Sequence, residues 1–269
     1  MPHALRAPAS SAPAFLSATH TPVSVLADHL RESGLVTVEG LATRAAVLRF
    51  TERIMEITPH RDSDPDGLTN IYDTRRHAHQ TGYAGLTSGE LAAHTERSGL
   101  PLPPRLMLLV CAHPAARGGE CLLTDGQAVH ADLATHHPEG LEKLSTARMA
   151  FFGGGEGHNG QVFTPHPDGR ITLRLRTDAL ARWSPLLTPH VPHLLATINR
   201  HQITLPLALG QGYLLDNTRW LHARNAFTGD RLCWRALGEP LAPLLPLPPG
   251  FPPVPAPAAP HPPSPEAAS

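Results

Sequence analysis

The chain has 269 residues, of which 17% are charged and 41% hydrophobic, with a formal net charge of -1. That length supports one sizeable globular domain with its own core, and the balanced charge gives no electrostatic basis for binding nucleic acid or an anionic membrane. Three cysteines, Cys111, Cys121 and Cys233, without a CxxC pair, point to a reducing cytoplasm rather than a disulfide framework.

Residues 1–21 are rich in Ala, Pro and Ser, lack the apolar core of a signal peptide, and are expected to be disordered. No run of about 18 apolar residues exists, so no membrane-spanning helix is expected. Val23, Val25, Leu26 and Leu30 predict a short helix capped by Thr21, followed by a strand over 34–41 and a helix over 43–56. Residues 62–89 are polar, dotted with Gly and His, and read as a long loop. The near-continuous apolar run over 104–112 predicts a strand buried on both faces. A helix over 125–137 is expected with Asp125 as its cap.

Ile171, Leu173 and Leu175 alternate with Thr172, Arg174 and Arg176, a period-two strand whose arginines share one face, either solvated or lining a pocket. A helix over 189–202 and closing strands over 205–209, 212–215 and 231–237 complete the domain. From Pro240 onward proline crowds the chain, predicting a disordered polyproline tail over 240–269, with a docking segment for a proline-recognising partner as the alternative. One domain over 22–239 is thus expected. It is mainly β with flanking helices (α+β), and the architecture that suits it is a double-stranded β-helix, a cupin-like jelly roll. No strand-glycine-helix phosphate fingerprint supports a doubly wound sheet.

The chemistry concentrates in His94-Thr95-Glu96 and in His222, far along the chain. Two imidazoles and one carboxylate make the facial ligand set of a mononuclear non-haem Fe(II) site, which leaves the opposite face open. In an extended chain residues i and i+2 point to one side, so His94 and Glu96 can reach one ion together.

Four segments in order carry a resemblance: Leu91-Ala92-Ala93-His94-Thr95-Glu96, then Gly118-Gly119-Glu120-Cys121-Leu122-Leu123-Thr124-Asp125-Gly126, then Asp216-Asn217-Thr218-Arg219-Trp220-Leu221-His222-Ala223-Arg224, then Arg231-Leu232-Cys233-Trp234-Arg235. Together they resemble the taurine dioxygenase and clavaminate synthase-like superfamily of Fe(II)/2-oxoglutarate-dependent oxygenases. The resemblance implies His94, Glu96 and His222 as catalytic iron ligands, and the ligand carboxylate argues against a halogenase. It also implies an arginine anchor for the distal carboxylate of 2-oxoglutarate, about a dozen residues after the second histidine. Arg235 stands thirteen residues after His222 and is the expected anchor; Arg231, nine residues after, is the second choice. Where the family places a threonine that also meets this carboxylate, this chain has Cys121, a weak donor. Thr124, facing the other way in a regular strand, is the substitute. Arg224 is expected to fix the loop around His222, and Arg97, Ser98 and the loop 70–89 to line the pocket. His158 and Asn159 in the glycine-rich run are expected in a lid.

The implied reaction couples oxidative decarboxylation of 2-oxoglutarate to succinate and CO2 with oxidation of a small-molecule substrate by O2: hydroxylation, desaturation or cyclisation. The expected substrate is amino-acid-like or a natural-product intermediate, placing the enzyme in secondary metabolism such as antibiotic biosynthesis. The alternatives are a sulfonate or aryloxyacetate dioxygenase and a non-catalytic metal-binding jelly roll. Nothing in the sequence separates a monomer from a homodimer.

Overall fold

The computed structural model describes residues 14–77, 80–154 and 157–254. Two sheets carry the architecture. The larger runs in the order Leu16–Ser17, Leu35–Glu39, Gly212–Asp216, Leu106–His113, Leu232–Pro240, Met55–Ile57, with Thr69–Ile71 also paired to Leu232–Pro240. The smaller runs Gln202–Leu205, Cys121–Asp125, Trp220–Arg224, Leu91–His94. Antiparallel pairing dominates both, as a jelly roll requires; the exception is Leu16–Ser17, parallel to Val38–Glu39.

Three apolar clusters explain why these segments fold as they do. Leu106, Leu108 and Val110 point out of the large sheet toward the helices Val23–Ser33 and Arg44–Ile54, packing with Leu26, Leu30, Val47, Phe50 and Ile54. Met107, Leu109 and Cys111 point the other way, between the sheets, against Tyr213, Cys233, Cys121 and Leu123. Alternation places each half of the run in a different core, so it is apolar throughout. Behind the small sheet, Leu221 joins Val129, Leu133, Leu194 and Ile198 from the helices Gly126–His136 and Val191–Arg200. Burying a side chain of this size contributes roughly 1.5–3 kcal/mol.

Several expectations need correction. The first helix is preceded by Pro22 and has no side-chain cap, so Thr21 does not cap it; Thr43 caps the second through Ala46 N, and Asp125 caps the third through Gln127 N. The loop 62–89 contains the strand Thr69–Ile71, and the expected strand over 205–209 lies earlier, at Gln202–Leu205, pairing with Cys121–Asp125. The strand expected over 170–176 is regular only at Ile171–Leu173.

Both domain boundaries also shift outward. Residues 14–21 are held to the fold: Thr37 donates to the Ala14 carbonyl at 2.8 Å and Arg53 to those of Ala18 and Thr21. Residues 240–254 form an ordered strap, with Leu244 and Leu247 buried under the helices and Phe251 buried behind the small sheet. Proline carbonyls accept without any matching donor, and side chains supply what the prolines lack: Arg31 to Pro246, Arg105 to Pro248, Arg170 to Pro249 and Gly250, Gln127 to Pro252. The remainder of the expected termini, 1–13 and 255–269, lies outside the described residues. Among the described residues no helix is long and apolar enough to cross a membrane.

Candidate metal centre and active site

His94 closes the strand Leu91–His94 and stands directly across from His222 on Trp220–Arg224, with ring centroids 4.1 Å apart. A register shift after His222 separates it from Arg224, which pairs with Leu91. The regular strand stops at His94, so Glu96 reaches the site by other means. Thr95 N–H and hydroxyl bond to Leu175, and Arg97 turns the chain with φ 54. Asn217, which is 1% exposed, clamps the Glu96 backbone: its Oδ1 accepts from Glu96 N at 2.6 Å, and its Nδ2 donates to Glu96 O at 3.0 Å and Pro104 O at 2.8 Å. The same-side expectation for His94 and Glu96 holds, with a side-chain clamp in place of a continuing ladder.

One nitrogen each from His94 and His222 and one oxygen of Glu96 lie within 4.8 Å of one another. The residues fit a metal ion in three respects. His94 Nδ1 faces the Ala92 carbonyl at 2.9 Å, which makes it the protonated nitrogen and leaves Nε2 free as a ligand. Burial holds both histidines below their ordinary pKa, so both are neutral ligands at pH 7. Burial alone would raise the Glu96 carboxyl, but Arg235, His222 and His94 outweigh it and bring the pKa down to about 2, so it is a carboxylate.

A cavity of about 890 Å3 opens over this cluster. Arg235 and Arg231 both line it, in different positions. Arg235 Nη1 is 2.6 Å from Glu96 Oε2 and so neutralises the ligand itself. Arg231 is 6% exposed, and its Nη2 lies 3.9 Å from Cys121 Sγ. Among the described residues it has no carboxylate partner within ion-pair distance. Tyr213, fully buried in the same wall, packs in one cluster with Cys121. Thr124 is not in this wall; it sits on the opposite face of its strand from Cys121 and Leu123, so the alternation that made it a doubtful substitute removes it.

Arg224 binds carbonyls of a different loop from the one expected: Ala84, Gly85, Thr87 and Gly89. The arginines of the 170–176 segment are not solvated. Arg174 donates to the carbonyls of Ser98, Leu100 and Pro101, and Arg176 pairs bidentately with Asp178 at the cavity wall. Arg97 and Ser98 line the cavity as expected, and from the loop 70–89 so do Ile71 and the stretch Thr81–Leu86. His158 and Asn159 do not; they line a separate cavity. Three contributors had no role in the sequence reading: Asn217, quoted there only as part of a segment, and Tyr213 and His60, which were not singled out. Burial and the nearby Arg235 lower the His60 pKa to about 4. A polar residue in the turn before a ligand strand was the available signal for Asn217; nothing marked the other two.

A jelly roll that brings His94, Glu96 and His222 together under an arginine-lined cavity has the donor set of a mononuclear metal oxygenase. The chain matches the family described as "Taurine catabolism dioxygenase TauD, TfdA family" over residues 9–237, and it belongs to that family of Fe(II)/2-oxoglutarate-dependent dioxygenases. Similar solved structures share the fold. Asparagine oxygenase with Fe(II), hydroxyasparagine and succinate gives a TM-score of 0.67 at 15% identity, covering 80% of this chain and 78% of that one. The oxygenase OrfP with iron and α-ketoglutaric acid gives 0.64 at 15%, covering 82% and 81%. PvcB, an oxygenase from an isonitrile synthetic pathway, gives 0.60 at 17%, covering 82% and 81%.

Proposed function

We propose that His94, Glu96 and His222 hold the Fe(II), that Arg231 rather than Arg235 anchors the distal carboxylate of 2-oxoglutarate, and that the enzyme oxidises an amino-acid-like or natural-product substrate. Arg231 carries this reading. A guanidinium taken out of water needs an anion, and within the described residues Arg231 has none while it faces the cavity. The charge of Arg235 is already paired with Glu96 through Nη1, although its buried Nε has no partner among the described residues. A non-catalytic metal-binding jelly roll would have no use for such a cation.

An iron held by His94, Glu96 and His222 would supply oxygen activation. The chain's own residues orient the rest. Arg231 offers a planar pair of donors to a carboxylate, and Tyr213 brings a hydroxyl to the same wall. Arg235 holds Glu96 in its charged, ligating form. Around the mouth, Arg97, Glu90 and the Arg176–Asp178 pair present both signs of charge, which suits a zwitterionic or amide-bearing substrate. Two of the similar structures hold hydroxylated asparagine and hydroxylated arginine, which supports the same substrate class.

The test is an anaerobic titration of the Fe(II)-loaded protein with 2-oxoglutarate, read by the visible charge-transfer band of the chelate and by calorimetry. The expected result is saturable binding, lost in His94→Ala and weakened at least tenfold in Arg231→Ala. Metal binding without any 2-oxoglutarate binding would refute the reading.

A further inference from the structure

A second cavity, of about 450 Å3, lies behind the metal strand. Thr95 and Asn217 form the wall between it and Glu96, so it sits on the opposite side of the His94-Thr95-Glu96 segment from the main opening. Among the described residues its lining contains no aspartate or glutamate. It contains Arg148, Arg174, His158 and His166, with Asn159, Gln161 and Thr164 beside them.

Most of this polar equipment is unspent. Arg148, His158, Asn159 and Gln161 make no side-chain hydrogen bond or ion pair among the described residues, although His158 and Gln161 are half-buried. Arg148 is exposed and projects from a left-handed residue, φ 63. Arg174 is half-buried and has only backbone carbonyls as partners among the described residues, so none of these compensates its charge. Burial lowers its pKa to about 10, and burial followed by Arg174 lowers that of His158.

We propose that this cavity is a second binding site, for the phosphate group of a small organic molecule. Two guanidiniums, two imidazoles, two amides and a hydroxyl line it, with no competing carboxylate among the described residues. A phosphate dianion offers three strong acceptor oxygens for such a donor set, and it supplies the charge that Arg174 and Arg148 lack. The volume leaves room for an organic group beyond the phosphate. The site is separate from the 2-oxoglutarate reading and stands without it.

The experiment is calorimetric titration of the full chain, loaded anaerobically with Fe(II) and 2-oxoglutarate so that the main cavity is filled, with inorganic phosphate and with glycerol 3-phosphate. Acetate at matched ionic strength is the control. We expect saturable binding of both phosphates, tighter for the ester, with a rise in thermal midpoint of about 3–5 °C at tenfold over Kd. The double variant Arg148→Ala/His158→Ala should weaken binding at least tenfold, while Arg231→Ala leaves it unchanged. Binding of the inorganic ion alone, with no gain for the ester, would reduce the site to free phosphate and overturn the organic ligand. No saturable binding, equal binding in the double variant, or equal binding of acetate would overturn the site altogether.

Discussion

Asn217→Ala tests the claim that a backbone clamp, rather than a continuing strand, aims Glu96. The substitution removes three hydrogen bonds, at 2.6, 3.0 and 2.8 Å, from a residue 1% exposed. A typical intramolecular hydrogen bond contributes about 1 kcal/mol net, and a buried donor left unpaired costs about 1–3 kcal/mol. The Glu96 N–H carries that larger cost, whereas a carbonyl with two lone pairs tolerates a lost donor more readily. The expected loss is therefore about 3 kcal/mol. With a urea slope near the upper end of the usual range, about 3 kcal/mol per molar, the midpoint falls by about 1 M. The Glu96 carboxylate also loses its fixed origin, so Fe(II) affinity should fall about tenfold, measured anaerobically by competition with a chelator. Asn217→Asp keeps the acceptor for Glu96 N–H but sets a carboxylate against two carbonyl oxygens, and it should rescue neither quantity. A variant whose urea midpoint and iron affinity both match wild type would show that the clamp positions nothing.

Cys121→Thr exchanges a weak donor for a hydroxyl beside Arg231 and should tighten 2-oxoglutarate binding about fivefold, corresponding to about 1 kcal/mol; unchanged affinity by calorimetry would place the co-substrate away from Cys121. Phe251→Ala empties a fully buried position and should cost about 3–5 kcal/mol in urea unfolding; a loss below 1 kcal/mol would mean that the strap is not part of the folded core. Asp132 accepts from His201, Arg200 and His136. Burial would raise its carboxyl, but these hydrogen bonds win, so its pKa lies below the ordinary 3.8. A depressed folded-state pKa gives stability that is present above 3.8 and lost as pH falls through the lower folded value. The stability gap between wild type and Asp132→Asn, followed by urea unfolding from pH 7 down to pH 2.5, should therefore narrow on acidification, and a gap independent of pH would contradict the assignment.

The sequence revealed the parts of this protein whose physics is local. The run Leu106–Val110 had to be a strand buried on both sides, Asp125 had to cap a helix, and His94, Glu96 and His222 stood out because metal ligation restricts residue type and spacing. What stayed hidden depends on partners distant in the chain. Arg174 and Arg176 look like the wet face of a strand until the carbonyls near Pro101 and the side chain of Asp178 are brought beside them. The order of Arg231 and Arg235 could not be decided by counting from His222. The proposed order rests on the Arg235–Glu96 contact, which spans 139 residues. The proline-rich segment misled for a related reason: its composition describes a chain without donors, and the donors sit on Arg31, Arg105, Arg170 and Gln127.

That strap bears on how the protein is made. Leu244 and Leu247 complete the layer under the two N-terminal helices, and Phe251, a few residues on, completes the layer behind the small sheet. Every strand precedes it in the chain. Because the chain emerges N-terminus first, the strands appear before the strap that closes them, so each nascent molecule passes through an interval with two unfinished apolar faces. Release of the last residues of the strap shuts both at once, which ties completion of the fold to completion of the domain's translation and makes that interval the point at which chaperones or proteases meet the chain.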